Sequence, residues 1–159
     1  MRTAGLTSLL AAVALVGCGG PDIDLGAGRG LVAASGDIDR GSAIVCREVA
    51  QRFREIQAKP PQSFEQASGI VTALLDAARA GEEELRALDP PAGRAAAFAL
   101  YLDERGEVIA QLERALEAAE AEDGDAYERA REAALEGRSR RFKLAVRAGL
   151  DGCAKVERG

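Results

Sequence analysis

The chain of 159 residues is acidic, with a formal net charge of −5, and it contains neither histidine nor tryptophan. Without histidine it lacks the commonest general base, metal ligand and haem ligand, and its negative charge disfavours nucleic-acid binding. Ala, Leu, Glu and Arg are frequent and aromatic residues are few, a composition that favours α-helices.

The N-terminus is typical of a secretory signal. A single basic residue, Arg2, precedes an apolar run from Leu6 to Val16 that is too short to span a bilayer as a mature anchor. We therefore predict that residues 1–17 form a signal peptide that directs the chain out of the cytoplasm.

The predicted signal ends in Leu15-Val16-Gly17-Cys18, which resembles the lipobox of bacterial lipoproteins. The resemblance implies cleavage just before Cys18 and acylation of its thiol, and about two acyl chains anchor a protein stably. Cys18 would then hold the protein on the extracytoplasmic face of the cell membrane. The alternative is an ordinary cleaved signal followed by a chance cysteine.

Residues 18–41 are rich in Gly and Asp and show no sustained apolar period, so we predict a flexible, solvated tether. Residues 42–155 form the predicted folded domain, in which prolines and glycines separate four helical segments. The first covers 42–58 and the second begins at Ser63, which matches a capping box with Gln66. Asp89-Pro90-Pro91 separates the second segment from the third, and a turn at 123–125 precedes the fourth, at 126–149, where Asp125 is the expected cap.

The second and third segments carry apolar faces whose residues recur at alternating steps of three and four, a spacing typical of helical bundles. Arg105 alone interrupts the third face, and Gly137 falls inside the weaker fourth one. The second face consists of Phe64, Ala67, Val71, Leu74, Ala78, Gly81, Leu85 and Leu88; the third of Ala95, Phe98, Leu102, Arg105, Ile109, Leu112, Leu116 and Ala119, widened by Tyr101 and Val108; the fourth of Tyr127, Ala130, Ala134, Leu135, Phe142, Ala145 and Val146.

Short connections make sequential helices antiparallel, so the expected fold is all-α, an up-down-up-down four-helix bundle after the signal and tether. This topology places the start of the first helix beside the end of the fourth, where Cys46 and Cys153 lie. An even pair of cysteines in an oxidising compartment favours a disulfide, and two free thiols are the alternative.

Three short motifs resemble those of small secreted or lipid-anchored actinobacterial lipoproteins. They are Ile44-Val45-Cys46-Arg47, Leu88-Asp89-Pro90-Pro91 and Gly149-Leu150-Asp151-Gly152-Cys153. The resemblance covers most of the predicted mature chain, and its motifs are structural. It implies an anchored helical bundle and no particular activity.

Two sets of charged residues are candidate sites. Arg105 could bind an anionic ligand between the helices, or it could extend to solvent or pair with a neighbouring Glu. A basic block on the fourth helix could face anionic headgroups, or it could pair with acidic helices. The block consists of Arg138, Arg140, Arg141, Lys143 and Arg147, and three of its members at helical spacing, here called the basic stripe, are Arg140, Lys143 and Arg147.

Nothing in the chain points to catalysis. The serines have no histidine, and no nucleophile elbow, phosphate loop or dinucleotide fingerprint occurs. The glutamates of the third helix lack the histidines of a di-metal site, so we predict no metal and no cofactor. We expect a lipid-anchored, non-catalytic interaction module that binds the membrane and an unknown envelope partner. The alternative is a carrier of a small apolar or anionic ligand, for which a pocket lined by Ala67, Ala78, Gly81 and Ala134 would be the sign.

Overall fold

The computed structural model describes residues 38–158, and within them the chain is all-α, as predicted, with no strand. Cys18, the predicted signal and most of the predicted tether lie outside the described residues. The helices are α1 (Ile38–Ile56), α2 (Phe64–Arg86), α3 (Ala92–Glu120), α4 (Gly124–Glu136), α5 (Arg138–Arg147) and α6 (Asp151–Arg158). No helix in this part of the chain is both long enough and apolar enough to cross a membrane.

The first helix begins four residues earlier than predicted. Residues 38–41, assigned to the tether from their composition, form the first turn of α1, and the side chain of Ile38 is buried. Asp39 accepts a hydrogen bond from Nη1 of Arg94 at 2.8 Å, which ties this turn to the start of α3. Packing and an ion pair therefore outweigh the local glycine content.

Helix caps follow the polar residues in the connections. Ser63 accepts a hydrogen bond from the Gln66 amide at 3.2 Å, which confirms the predicted start of α2. The cap of α4 is Asp123, whose side chain accepts from the Ala126 amide at 2.9 Å, so the expectation for Asp125 is wrong by two residues.

The predicted fourth helix is in fact interrupted. It breaks at Gly137 into α4 and α5, and a further short helix, α6, follows Gly149. Gly149 adopts a φ of +71°, and the Leu150 amide donates to the Ala145 carbonyl at 2.8 Å, a pairing that closes α5 and redirects the chain. Because of this break, two residues of the predicted fourth face, Leu135 and Val146, are exposed, and their assignment to the core is wrong.

The packing partners of α1 are α2 and α6, whereas α4 packs mainly on α3. Buried side chains form two clusters. The closed cluster includes Cys46, Leu85, Tyr101, Leu150 and Cys153, which have almost no exposed surface. The second, here called the cavity cluster, contains Val71, Leu74, Leu75, Ala78, Leu112, Ala115 and Ala130, with partly buried neighbours such as Phe53, Ile70 and Tyr127. The buried positions of α2 follow its predicted seam closely.

Candidate ligand-binding cavity

A cavity of about 950 Å³ lies among the helices beside the cavity cluster. Since α1 packs on α2 and α6 but α4 packs on α3, the C-terminal half of α1 and the α4 helix bound an unfilled space between them. Its volume lies at the upper end of the range for small-molecule sites, about 300–1,000 Å³. Ala78 and Ala134 line it, as expected for a carrier, whereas Ala67 and Gly81 are buried without lining it.

One part of the cavity wall is apolar. It is formed by side chains from four helices, so that no single helix face creates it. The apolar part comprises Phe53 of α1, Ile70, Val71 and Leu74 of α2, Val108, Ile109 and Leu112 of α3, and Tyr127 of α4. Leu135, which is 62% exposed, also lines the cavity and marks a side that is open to solvent.

The charged residues that line the cavity are mostly basic. They include seven cations and one carboxylate, in a chain whose acidic residues outnumber its basic ones, 26 to 21. The cations are Arg54, Lys59, Arg105, Arg131, Arg138, Arg141 and Lys155, and the carboxylate is Glu157. The cavity is therefore electropositive although the protein is acidic.

Arg105 is the candidate residue that the structure places in the cavity wall. Its Nε atom is buried and has no hydrogen-bond partner. The guanidinium carbon lies 5.9 Å from the ring centroid of Tyr101, one helical turn away. Among the described residues no carboxylate pairs with Arg105, so the alternative of a neighbouring Glu partner is not realised there. Arg105 as a whole is partly exposed, so its guanidinium reaches the cavity while its Nε is shielded from solvent and, within this part of the chain, unpaired.

Tyr101 connects Arg105 to the closed cluster. Its side chain is fully buried, and its hydroxyl lies 3.7 Å from the Sγ of Cys46. Burial raises the pKa of the Tyr101 phenol above its ordinary 10.0, against the opposing field of Arg105. Glu157 raises this pKa further and Arg141 lowers it.

The predicted basic block is divided by the structure. Arg141 is buried and donates from Nε to Glu157 at 3.0 Å, with both side chains about nine-tenths buried. Arg138 lines the cavity and donates to the Val156 carbonyl at 3.4 Å. The three residues of the basic stripe are exposed, and one of them, Arg140, pairs with Glu104 at 3.1 Å. The block is therefore two sets of residues, one in the cavity wall and one on the outer surface.

Cys46 and Cys153 form the predicted disulfide, with their Cα atoms 5.1 Å apart. The bond links α1 to α6 rather than to the end of the fourth helix. At Gly152 the backbone of α6 approaches Ala43 of α1 so closely that an added Cβ would overlap it. This close approach lets the two cysteines meet.

The glutamates of α3 do not converge. Glu113 pairs with Arg79 at 2.7 Å and Glu104 with Arg140, and both pairs lie outside the cavity. Within residues 38–158 no group of three or more potential metal ligands comes together.

Three features of the site were missed by reasoning from the sequence. These are the position of the cavity beside the break between α4 and α5, the buried pair of Arg141 with Glu157, and the helix that carries Glu157. Gly137 was the available signal, since the interruption there gives the wall Ala134 and Leu135 from one side and Arg138 from the other. Compared with known proteins, the chain matches no family model, no curated protein and no solved structure.

Proposed function

We propose that the protein binds a small, largely apolar ligand in the cavity between its helices. The observation that carries this proposal is a space of about 950 Å³ lined by apolar side chains of four helices. Each methylene that enters contributes about 0.8 kcal/mol, so a chain of several methylenes offsets an association cost of at least about 4 kcal/mol. This is the carrier alternative that the sequence left open.

The interaction module expected from the sequence has less support. A well-packed core with a single coherent exposed patch would favour it. The exposed large apolar residues of the described chain, Leu100, Leu135 and Val146, are instead spread over α3, α4 and α5. An envelope protein as partner therefore stays a secondary proposal, and we propose no catalysis.

The location of the protein is a further part of the proposal. The lipobox resemblance at Cys18 and the likeness to actinobacterial lipoproteins support a lipid anchor on the extracytoplasmic face of the membrane. Cys18→Ala should abolish acylation and move the protein from the detergent phase to the aqueous phase on partitioning of expressing cells. Retention of the variant in the detergent phase would refute the anchor.

We also propose that the long helical segments alternate in direction, as their short connections predict. The contacts between α2 and α3 support this, because a residue later in α2 contacts a residue earlier in α3, as in an antiparallel pair. Arg79 pairs with Glu113, whereas Gly81 lies opposite Arg105.

The binding proposal can be tested with Nile red, a neutral apolar dye whose fluorescence reports a dry environment. The protein for this test is the full chain carrying Cys18→Ala, which removes the acylation site. We expect saturable binding of one dye per chain. Ala134→Phe, which places a ring in the cavity, should weaken binding about tenfold or more, as lost burial of several methylenes would.

The matched control is Ala99→Phe, since Ala99 is an exposed alanine of α3 that does not line the cavity. This variant should bind Nile red as the parent chain does. Equal binding by parent, Ala134→Phe and Ala99→Phe chains would place the dye elsewhere and refute the proposed site.

A further inference from the structure

The charges in the cavity wall distinguish one end of the cavity from the rest. Arg105 of α3 lies 5.9 Å from the ring of Tyr101, whose hydroxyl is beside the disulfide that holds α6. Arg141 of α5 pairs with Glu157 of α6, and we call this part of the cavity the polar end. The apolar wall lies towards the C-terminal half of α1 and the start of α4. The cavity therefore has a charged group of residues at this end beside an apolar wall, and Arg54, Lys59 and Arg131 line it elsewhere.

The charges at the polar end do not balance. Arg141 and Glu157 neutralise each other through their hydrogen bond at 3.0 Å. Arg105 remains, with its Nε buried and lacking a partner, and no carboxylate of the described chain lies within ion-pairing distance of it. Arg105 is only partly exposed and has no carboxylate of the described chain beside it, so its guanidinium is the group at this end that can accept a negative partner.

The cavity lining as a whole also carries more positive than negative charge. Seven cations and one carboxylate surround the cavity, which is the reverse of the balance of the whole chain. Such a surface attracts anions and repels cations. An uncharged apolar ligand would fill the apolar end but would leave Arg105 without a counterion.

We propose that the ligand is a single-chain amphiphile with an oxyanion head, a carboxylate or a phosphate, that pairs with Arg105. Its alkyl chain would extend along the apolar wall towards Leu112 and Tyr127. The planar guanidinium donates through a fixed fork that matches both head groups, and the free Nε is one prong of that fork. This inference rests on the proposed function, because it names the class of ligand for the same cavity.

Three probes of equal chain length distinguish the contribution of the head group to binding from that of the alkyl chain. They are laurate, dodecyl phosphate and dodecanol. Each is titrated calorimetrically, below its aggregation concentration, into the full chain carrying Cys18→Ala. We expect laurate or dodecyl phosphate to bind about tenfold to a hundredfold more tightly than dodecanol, as a charge-assisted hydrogen bond would give. Whichever oxyanion binds more tightly identifies the head group.

Variants at Arg105 test the residue itself. Arg105→Gln should remove the preference for the oxyanions and leave dodecanol binding unchanged, and Arg105→Lys, which keeps the charge but loses the fork, should retain part of the preference. The matched control is Arg79→Gln, because Arg79 is an exposed arginine that pairs with Glu113 at 2.7 Å and lies outside the cavity. It should change the preference by about twofold or less.

The outcomes separate the two proposals. Equal binding of laurate, dodecyl phosphate and dodecanol by the parent chain would overturn the oxyanion head and leave the apolar site standing. Binding of none of the three would overturn both. If the preference persists in Arg105→Gln, Arg105 is not the head-group partner. The comparison of probes on the parent chain needs no variant and holds even if Arg105→Gln fails to fold.

Discussion

Reduction of the Cys46–Cys153 disulfide should lower the free energy of unfolding by about 4.8 kcal/mol. The two cysteines are separated by 107 residues, so the bond closes a loop that contains nearly the whole described domain. In the chain-entropy relation for crosslinks, a loop of this length restricts the unfolded chain by that amount at about 25 °C. For a domain of this size the loss corresponds to roughly 15 to 20 °C in melting temperature.

From the structure, we expect little besides the crosslink to differ between the oxidised and the reduced protein. Both cysteines are buried, at 2% and 0% exposure, and reduction removes no heavy atom, so no large cavity forms. The native contacts between Gly152 and Ala43 and between Arg141 and Glu157 remain available to hold α6. The expected effect is therefore that of the crosslink on the unfolded chain.

Urea denaturation followed by circular dichroism, with and without reductant, measures the difference. The double variant Cys46→Ala/Cys153→Ala is the control and should not respond to reductant. A difference of less than about 1 kcal/mol between oxidised and reduced parent chains would refute the reasoning, because a loop of this length could not then constrain the unfolded state.

Three more predictions follow from burial and charge. Leu85→Ala should lower the free energy of unfolding by about 4 kcal/mol in urea melts, because Leu85 has no exposed surface in the closed cluster. Leu112→Ala should lower it by about 2 kcal/mol, because Leu112 already borders the cavity. Equal losses for the two variants would contradict this difference. Burial raises the pKa of folded Tyr101 above 10.0, so the stability it contributes is complete below about pH 10 and falls as pH rises through the folded pKa. Tyr101→Phe should flatten this decline in urea midpoints, and an unchanged slope would show that the phenol does not cause it. Because its basic stripe is exposed, the protein should sediment weakly with anionic vesicles, and less so at physiological than at low salt. Replacement of the three stripe residues by Gln should abolish this sedimentation. Equal sedimentation of the two chains would show that the stripe serves only in ion pairs such as that of Arg140 with Glu104.

The helices of the first two-thirds of the domain could be predicted because their signals are local. Spacing of three and four residues predicts the buried face of α2, and Ser63 predicts its start. Cys46 and Cys153 were paired correctly from their compartment and their expected proximity, although α6 rather than the fourth helix carries the second cysteine.

The remaining features depend on tertiary packing, which the sequence pattern does not contain. Helix α6 is only eight residues long, too short for its apolar positions to establish a helical period in the sequence. A disulfide and a buried ion pair hold it in place. The cavity forms because α1 packs against α6 and not against α4. This packing depends on the turn at Gly149, which directs α6 towards α1. Arg105 was identified because it interrupts an apolar seam, and only the structure reveals the space beside it.

A binding role would explain why an arginine with no carboxylate partner in the described chain occupies a seam position of α3. Its Nε is buried without a hydrogen-bond partner, an unfavourable arrangement that an apolar side chain at this position would avoid. Sites that bind ligands commonly retain such unfavourable groups because the ligand supplies the missing interaction.

Photoaffinity labelling tests the central claim most directly, because it reports where an amphiphile lies. A laurate analogue with a diazirine at its terminal carbon is bound to the full chain carrying Cys18→Ala, irradiated, and mapped by peptide mass spectrometry. We predict labelling of the apolar wall, at Leu112 or Tyr127 and their neighbours in the cavity cluster, with competition by unlabelled laurate. Labelling confined to the exposed apolar residues outside the cavity, Leu100 and Val146, would contradict the account.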